Sequence, residues 1–273
     1  MNASSSNNPA VSESSVSLSP VALVTGASRG IGRAIALRLA SDGYSVAVSY
    51  HSSAAAADEV VGQIERLGRQ AIALQGDVGN SADRQSLVDR TLERFGRLDV
   101  LVNNAGITSP GRKDLLEATE EGWDQVFATN LKGPFFLAQR SARAMIELRQ
   151  RGAIERGTIV NVSSISAFAV STNRADYCMA KAAMQMMTWL LADRLAEEAI
   201  RVFEICPGVI ESDMTAPVKE KYDRLIAEGL SPIRRWGKPE DVAAAVSAVV
   251  SDAFPFTTGE RIHVDGGFHI RRL

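Results

Sequence analysis

The sequence predicts a single α/β domain built on a doubly wound parallel sheet of about seven strands with helices on both faces. Three observations carry that expectation. From Pro20 onward, short β-branched apolar runs alternate with longer stretches of helical periodicity, which is the pattern of repeated βαβ units. The apolar runs lack the in/out alternation of a half-exposed sheet, as expected where helices cover both faces. Glycines stand just past the ends of several helical stretches, at Gly43, Gly68 and Gly96, where a left-handed residue closes a helix.

In chain order, the predicted strands are 21–24, 46–50, 71–75, 100–103, 158–162, 201–206 and 261–264, each a short apolar run. The predicted helices between them are 31–41, 54–67, 83–95, 123–149, 176–199 and 240–251, where apolar residues recur at the helical period. No linker or internal repeat interrupts 20–273, so this span is expected to be one domain. A chain of 273 residues is long for an average domain, but single α/β units with a large core reach this length. Residues 1–19 are rich in Ser and Asn and have neither a positive start nor an apolar stretch. They read as a flexible tail and not as a secretory signal.

Composition removes several classes of function. With 45% hydrophobic and 23% charged residues the chain has the make-up of an ordinary globular protein. No apolar run reaches membrane-spanning length, so no membrane partner is expected. A net charge of -2 gives no basic field for nucleic acid, and any bound anion must be gripped locally. Cys178 and Cys206 lack metal-type spacing, and His51, His263 and His269 are too scattered along the chain to suggest a zinc site. Reduced thiols in a cytoplasmic setting are the expectation, with no metal.

Right-handed crossovers put the carboxyl ends of the strands along one edge, where ligands of such sheets bind. Each unusual cluster of the sequence follows a strand. After the first comes Thr25-Gly26-Ala27-Ser28-Arg29-Gly30-Ile31-Gly32, running straight into a helix. One glycine suits the tight turn, one the close approach of a pyrophosphate and one the packing of the helix on the sheet, while the helix N-terminus offers free N–H groups to phosphate. The lack of a Gly-Lys-Ser/Thr ending argues against nucleoside-triphosphate hydrolysis. A Rossmann-type dinucleotide site is the expectation.

The end of the second strand carries Tyr50-His51-Ser52-Ser53, with no carboxylate to receive a ribose 2'-hydroxyl or to repel a 2'-phosphate. Arg29 offers a guanidinium for that phosphate, so the sequence favours NADP over NAD. The plainer reading makes Arg29 a solvated turn residue. Further along, Tyr177 and Lys181 stand four residues apart at the start of a predicted helix and share a face, so an ammonium can approach a phenol. A cation there stabilises phenolate and brings a tyrosine closer to acid–base use at neutral pH. Alone, such a pair is an ordinary surface contact.

The segment Thr-Gly-Ala-Ser-Arg-Gly-Ile-Gly, together with Tyr177-Cys178-Met179-Ala180-Lys181, resembles the single-domain branch of the short-chain dehydrogenase/reductase family. The resemblance runs from Val21 to Gly267. It implies that Ser164, in Asn161-Val162-Ser163-Ser164, is the catalytic serine, with Ser163 the weaker candidate, and that Asn130 completes a group of Asn130, Ser164, Tyr177 and Lys181. It implies cofactor contacts from Gly26, Ser28, Arg29, Gly30, Ile31 and Gly32, from Asp77 and Val78, and from Asn104, Ala105 and Gly106. Pro207, Gly208, Ile210 and Ser212 of the Pro-Gly segment, and Lys181 and Tyr177 themselves, are implied as contacts to the nicotinamide end.

The expected activity is therefore hydride transfer between a nicotinamide and a small-molecule carbonyl or secondary alcohol. Within the family the closest look is that of 3-ketoacyl-(acyl carrier protein) reductases, with sugar or polyol dehydrogenases as the alternative. A catalytically silent nucleotide sensor is the rival from another class, opposed by the intact Tyr177 and Lys181. Substrate choice is expected in a lid over 211–235, which mixes charged and apolar residues. The stretch 146–157 is longer and more charged than the resemblance predicts, and the terminal strand is like one that packs in tetramers or dimers of the family.

Overall fold

In the computed structural model, which describes residues 19–213 and 215–271, all seven apolar runs form strands. They are β1 (Val21–Val24), β2 (Ser45–Tyr50), β3 (Ala71–Gln75), β4 (Val100–Asn103), β5 (Gly157–Val162), β6 (Ile200–Pro207) and β7 (Arg261–Val264). The sheet order is β3-β2-β1-β4-β5-β6-β7, and every neighbouring pair is parallel. The chain winds outward from β1 to β3, returns to β4 beside β1, and winds outward again. The crevice between the ends of β1 and β4 is thus the point where the strand order reverses, which is where ligands of doubly wound sheets lodge.

Two apolar layers sandwich the sheet. One face packs on α1 (Gly30–Ser41), α2 (Ala54–Arg66) and α8 (Pro239–Val250), through residues such as Ile35, Leu39, Val60, Ile64 and Val246. The other packs on α3 (Ser81–Phe95), α5 (Gly133–Gln150) and α6 (Ala175–Leu195), through Leu87, Leu137, Met145 and Leu195. Burial on both sides explains why central strands such as β4 and β5 are buried at every position and show no alternation in sequence. The glycines at 43, 68 and 96 all have positive φ and close their helices as expected.

The expected helix over 123–149 is corrected. The chain forms α4 (Glu120–Phe127), then one π-helical stretch over Ala128–Lys132, then α5. Gly133 and Pro134 account for the break. Pro134 has no N–H to give the carbonyl four residues earlier, that of Asn130, and a Cβ on Gly133 would stand 2.6 Å from the Val78 carbonyl oxygen. Within the proposed lid, α7 (Lys219–Ala227) is a further helix that the periodicity did not indicate. The tail expected over 1–19 lies outside the described residues except for Ser19. The stretch 146–157 leads into the amino end of β5, on the sheet edge opposite the clusters that follow the strands.

Candidate active site

The turn after β1 is fixed by the chain's own polar groups. The Thr25 hydroxyl accepts from the N–H groups of Asn104 and Ala105, each at 3.0 Å, and donates to the Val102 carbonyl at 3.2 Å. The Asn104 amide donates to the carbonyls of Thr25, at 2.8 Å, and Gly26. Asn104 is therefore spent on pinning the turn, and Ala105 packs on it: a Cβ at Gly26 would meet the Ala105 Cα at 3.0 Å. At Gly32 a Cβ would fall on the Gly26 carbonyl, so only glycine lets α1 start so close to the turn. Gly30, at φ +54°, faces open space.

No side chain caps the first turn of α1, and no acidic residue stands in it. Its N–H groups and positive dipole end are left for an anion, and the open side of Gly30 gives room for one. These residues fit the pyrophosphate of a dinucleotide. Ser28 and Ile31 are half-buried in the same turn, and Arg29 is exposed. Arg29 Nη1 lies 3.2 Å from Asp213 Oδ2, a pair 70% and 76% exposed and so worth little energetically. It can exchange that carboxylate for another anion at small cost.

Tyr50 and His51 end β2, next to the β3 edge. The carboxylate of Asp77 accepts from the Gly79 N–H at 2.8 Å, while Val78 is buried in the core and its carbonyl accepts from Arg84. Tyr50, His51 and Asp77 follow β2 and β3 on the β3 side of the crevice, whereas Val78 reaches the π turn, where a Cβ on Gly133 would stand 2.6 Å from its carbonyl oxygen.

On the other side, β5, the π turn and α6 bring four side chains together. Ser164 follows β5 in extended backbone, and its hydroxyl accepts from the Ser166 N–H at 3.1 Å. Ser163 turns inward to the Ile205 carbonyl, which leaves Ser164 as the hydroxyl on the site. The Tyr177 phenol is buried and hydrogen-bonded to Ser164. Lys181 Nζ donates to the Val162 carbonyl at 2.9 Å and lies 5.8 Å from the Tyr177 ring centroid. Asn130, fully buried in the π turn, exchanges two hydrogen bonds with Ile107, accepting from its N–H at 2.9 Å and donating to its carbonyl at 2.8 Å. A Cβ on Gly106 would stand 3.2 Å from Asn130 Oδ1 and 3.6 Å from Lys181 Nζ, so these three also converge.

The electrostatics differ in one respect from the expectation. Burial pushes the Tyr177 phenol above the ordinary tyrosine range, opposed by the Ser164 hydrogen bond and the Arg174 charge. Burial likewise pulls Lys181 down to about 8, opposed by Glu204 and Cys206. Lys181 is held at the Val162 carbonyl, and desolvation outweighs the charges that favour phenolate. The site presents a protonated phenol, which is a proton donor.

Pro207 and Gly208 end β6, and a Cβ on Gly208 would meet Asp265 at 2.7 Å. Ile210 is buried and bridges to Gly237. The Ser212 hydroxyl stands 3.2 Å from that of Thr215, which also takes the Ser212 N–H.

Sequence reasoning missed Thr25 as the pin of the glycine turn, Arg174, which lies 5.6 Å from the Tyr177 ring centroid, and the buried Glu204 that faces Lys181 electrostatically. It also missed a buried ladder in which the Asn103 amide donates to Asn161 and the Asn161 amide to Thr188. Its signal was present: two apolar strands, β4 and β5, both carry Asn at their register-paired ends.

The chain is similar over most of its length to known reductases. A family model described as enoyl-(acyl carrier protein) reductase matches residues 26–269. A 3-oxoacyl-[acyl-carrier-protein] reductase of Staphylococcus aureus is 40% identical over 249 residues, covering 91% of this chain and 98% of that protein. The crystal structure of a 3-oxoacyl-[acyl-carrier protein] reductase from Brucella melitensis in complex with NAD has a TM-score of 0.88 at 39% identity, covering 93% of this chain and 99% of that one. An angucycline C-6 ketoreductase with bound NADP has a TM-score of 0.81 at 34% identity, covering 92% and 96%.

Proposed function

The chain belongs to the short-chain dehydrogenase/reductase family, and from that premise we propose that it reduces 3-oxoacyl thioesters with NADPH, using Tyr177 as the proton donor. The coarser activity, oxidoreduction of carbonyl and alcohol groups with a nicotinamide cofactor, is that of its family. The observation that carries the proton-donor role is the buried, protonated Tyr177 phenol hydrogen-bonded to Ser164 with Lys181 beside it.

The turn over Gly26, Ser28, Arg29, Gly30, Ile31 and Gly32 would hold a nicotinamide dinucleotide, which when bound would supply the hydride. Ser164 donates a hydrogen bond to the substrate oxygen, and this bond strengthens as negative charge grows there. Tyr177 gives that oxygen its proton from the phenol. Lys181 keeps a positive charge beside the phenol as the proton leaves, and Asn130, tied to Ile107, fixes the wall of the pocket next to the Lys181 ammonium. Oxidation of an alcohol runs through the same groups in reverse.

NADP is preferred over NAD in this reading because Arg29 is exposed at the turn and the end of β2 offers Tyr50 and His51 in place of a carboxylate. Substitution Arg29→Ala is expected to raise KM for NADPH about tenfold, the loss of one charge-assisted contact, while leaving KM for NADH unchanged. The substrate class follows the relatives, which are 3-oxoacyl-[acyl-carrier-protein] reductases by name. A screen with NADPH and NADH against ketoacyl thioesters, sugars, polyols and steroid-like ketones tests it. Turnover of the thioesters with NADPH is expected. Preference for a polyol reassigns the substrate, and cofactor binding without any turnover removes the catalytic reading.

A further inference from the structure

Two of the three histidines in the chain meet at the carboxyl end of β7, although five residues separate them in sequence. His263 is in β7, Asp265 follows it, and His269 returns from the terminal turn; one ligand-type atom from each lies within 4.8 Å of the others. We propose that His263, Asp265 and His269 form a binding site for a divalent transition-metal ion of the zinc class, set in the wall of a cavity of about 390 Å³. All three residues line that cavity, as do Ile226 of α7 and Arg235.

Three features carry the assignment. His263 Nδ1 is buried and has no hydrogen-bond partner, which leaves a ring nitrogen desolvated and unspent. Asp265 is itself buried and is aimed by the backbone, since its oxygens accept from the N–H groups of Gly267 and His269, each at 2.9 Å. Such second contacts orient a metal-binding carboxylate. His269 Nδ1 lies 3.0 and 2.9 Å from the two Asp265 oxygens, so a ring nitrogen already points at the carboxylate.

Two imidazoles and one carboxylate suit zinc, cobalt or nickel, whereas magnesium and calcium take oxygen donors. Ligands at about 2.1 Å in a tetrahedral site stand roughly 3.4 Å apart. The cluster therefore has to contract, and the His269 ring, which stacks on His263 with centroids 4.1 Å apart and 19° between planes, has to turn off it to aim at a shared ion. Imidazole binds a metal ion only in its unprotonated form, so binding weakens as pH falls. The three-ligand set keeps a fourth position for water or a small anion. Once bound, the ion ties the end of β7 to the terminal turn.

The test uses the full-length chain without a histidine tag, stripped with chelator and then titrated with zinc chloride by calorimetry and with cobalt chloride by visible absorption. One ion per chain, cobalt bands of a low-coordinate nitrogen/oxygen site, and a metal-dependent rise in Tm are expected. His269→Ala and His263→Gln should each weaken binding by about 100-fold or more and abolish the Tm rise, since even lost outer-shell partners cost 10- to 100-fold. A metal-free Tm of His269→Ala close to that of the metal-free wild type is the check that its fold is in place. Unchanged affinity in the double variant, or no stoichiometric ion in the wild-type chain, overturns the proposal and leaves an ordinary hydrogen-bonded pair. The result is independent of the oxidoreductase assignment, which the substrate screen decides separately.

Discussion

At Tyr177 and Lys181 sequence spacing and tertiary surroundings have different effects. The i, i+4 spacing on α6 puts the two on one face, but their proton affinities are set by burial against β5 and β6. Tyr177→Phe removes the transferable proton and little else, so cofactor affinity should stay within about twofold while kcat falls by about 1000-fold, within the span typical of general acid catalysis. Fluorescence titration with NADPH beside steady-state kinetics reads both. Lys181, lowered to about 8, is charged below that pH and neutral above it, while the phenol stays protonated past its usual 10. The rate of reduction, as kcat/KM, should therefore fall about tenfold per pH unit above pH 8. A plateau extending to pH 10 would count against Lys181 as the required cation. The same shift has a stability consequence: between about 8 and 10.5 the unfolded chain binds the proton that the folded chain has lost. Lys181 thus makes stability rise with pH across that window.

At the scale of elements, the glycine turn is the most constrained part of the molecule. Gly32→Ala places a methyl on the Gly26 carbonyl, so α1 must move off the sheet, at a cost of about 1–3 kcal/mol. Urea denaturation should show that loss, and NADPH binding should weaken with it because α1 carries the anion-facing N–H groups. The strands and the glycine turn were legible in sequence because their signals are local: apolar runs, helix-closing glycines, a strand–turn–helix motif. The division of 123–149 was harder to read, since the apolar spacing continues on both sides of the π turn and only Gly133-Pro134 marks it. α7 escaped because only Ile226 of its residues is buried, so its pattern is mostly polar. Asn130 was identified through its resemblance to a family position, whereas its bonds to Ile107 come from the π turn, which no local pattern reveals.

For the whole molecule, α6 is apolar on both sides, which a helix covering one sheet face does not need. Met179, Met186 and Leu190 lie exposed on its outer face, with Trp189 beside them and Phe136 exposed on α5. In the reading that the chain self-associates, this face is covered by a second copy. Light scattering after gel filtration should give a mass above that of one chain, and Leu190→Glu should shift it toward the monomer; an unchanged mass would place the interface elsewhere. No helix among the described residues is long and apolar enough to cross a membrane. The sequence by itself determined the chain order and class of the strands and the strand–glycine turn–helix motif, because each depends on neighbours within a few residues, and it offered the side chains that are proposed to react. Tertiary structure alone decided which groups are desolvated and which distant residues meet. Lys181 owes its lowered proton affinity to strands 19 or more residues away, and His263, Asp265 and His269 owe their meeting to a reversal of the chain after β7. Burial and convergence are properties of packing, and the same residue letters in another setting would carry neither.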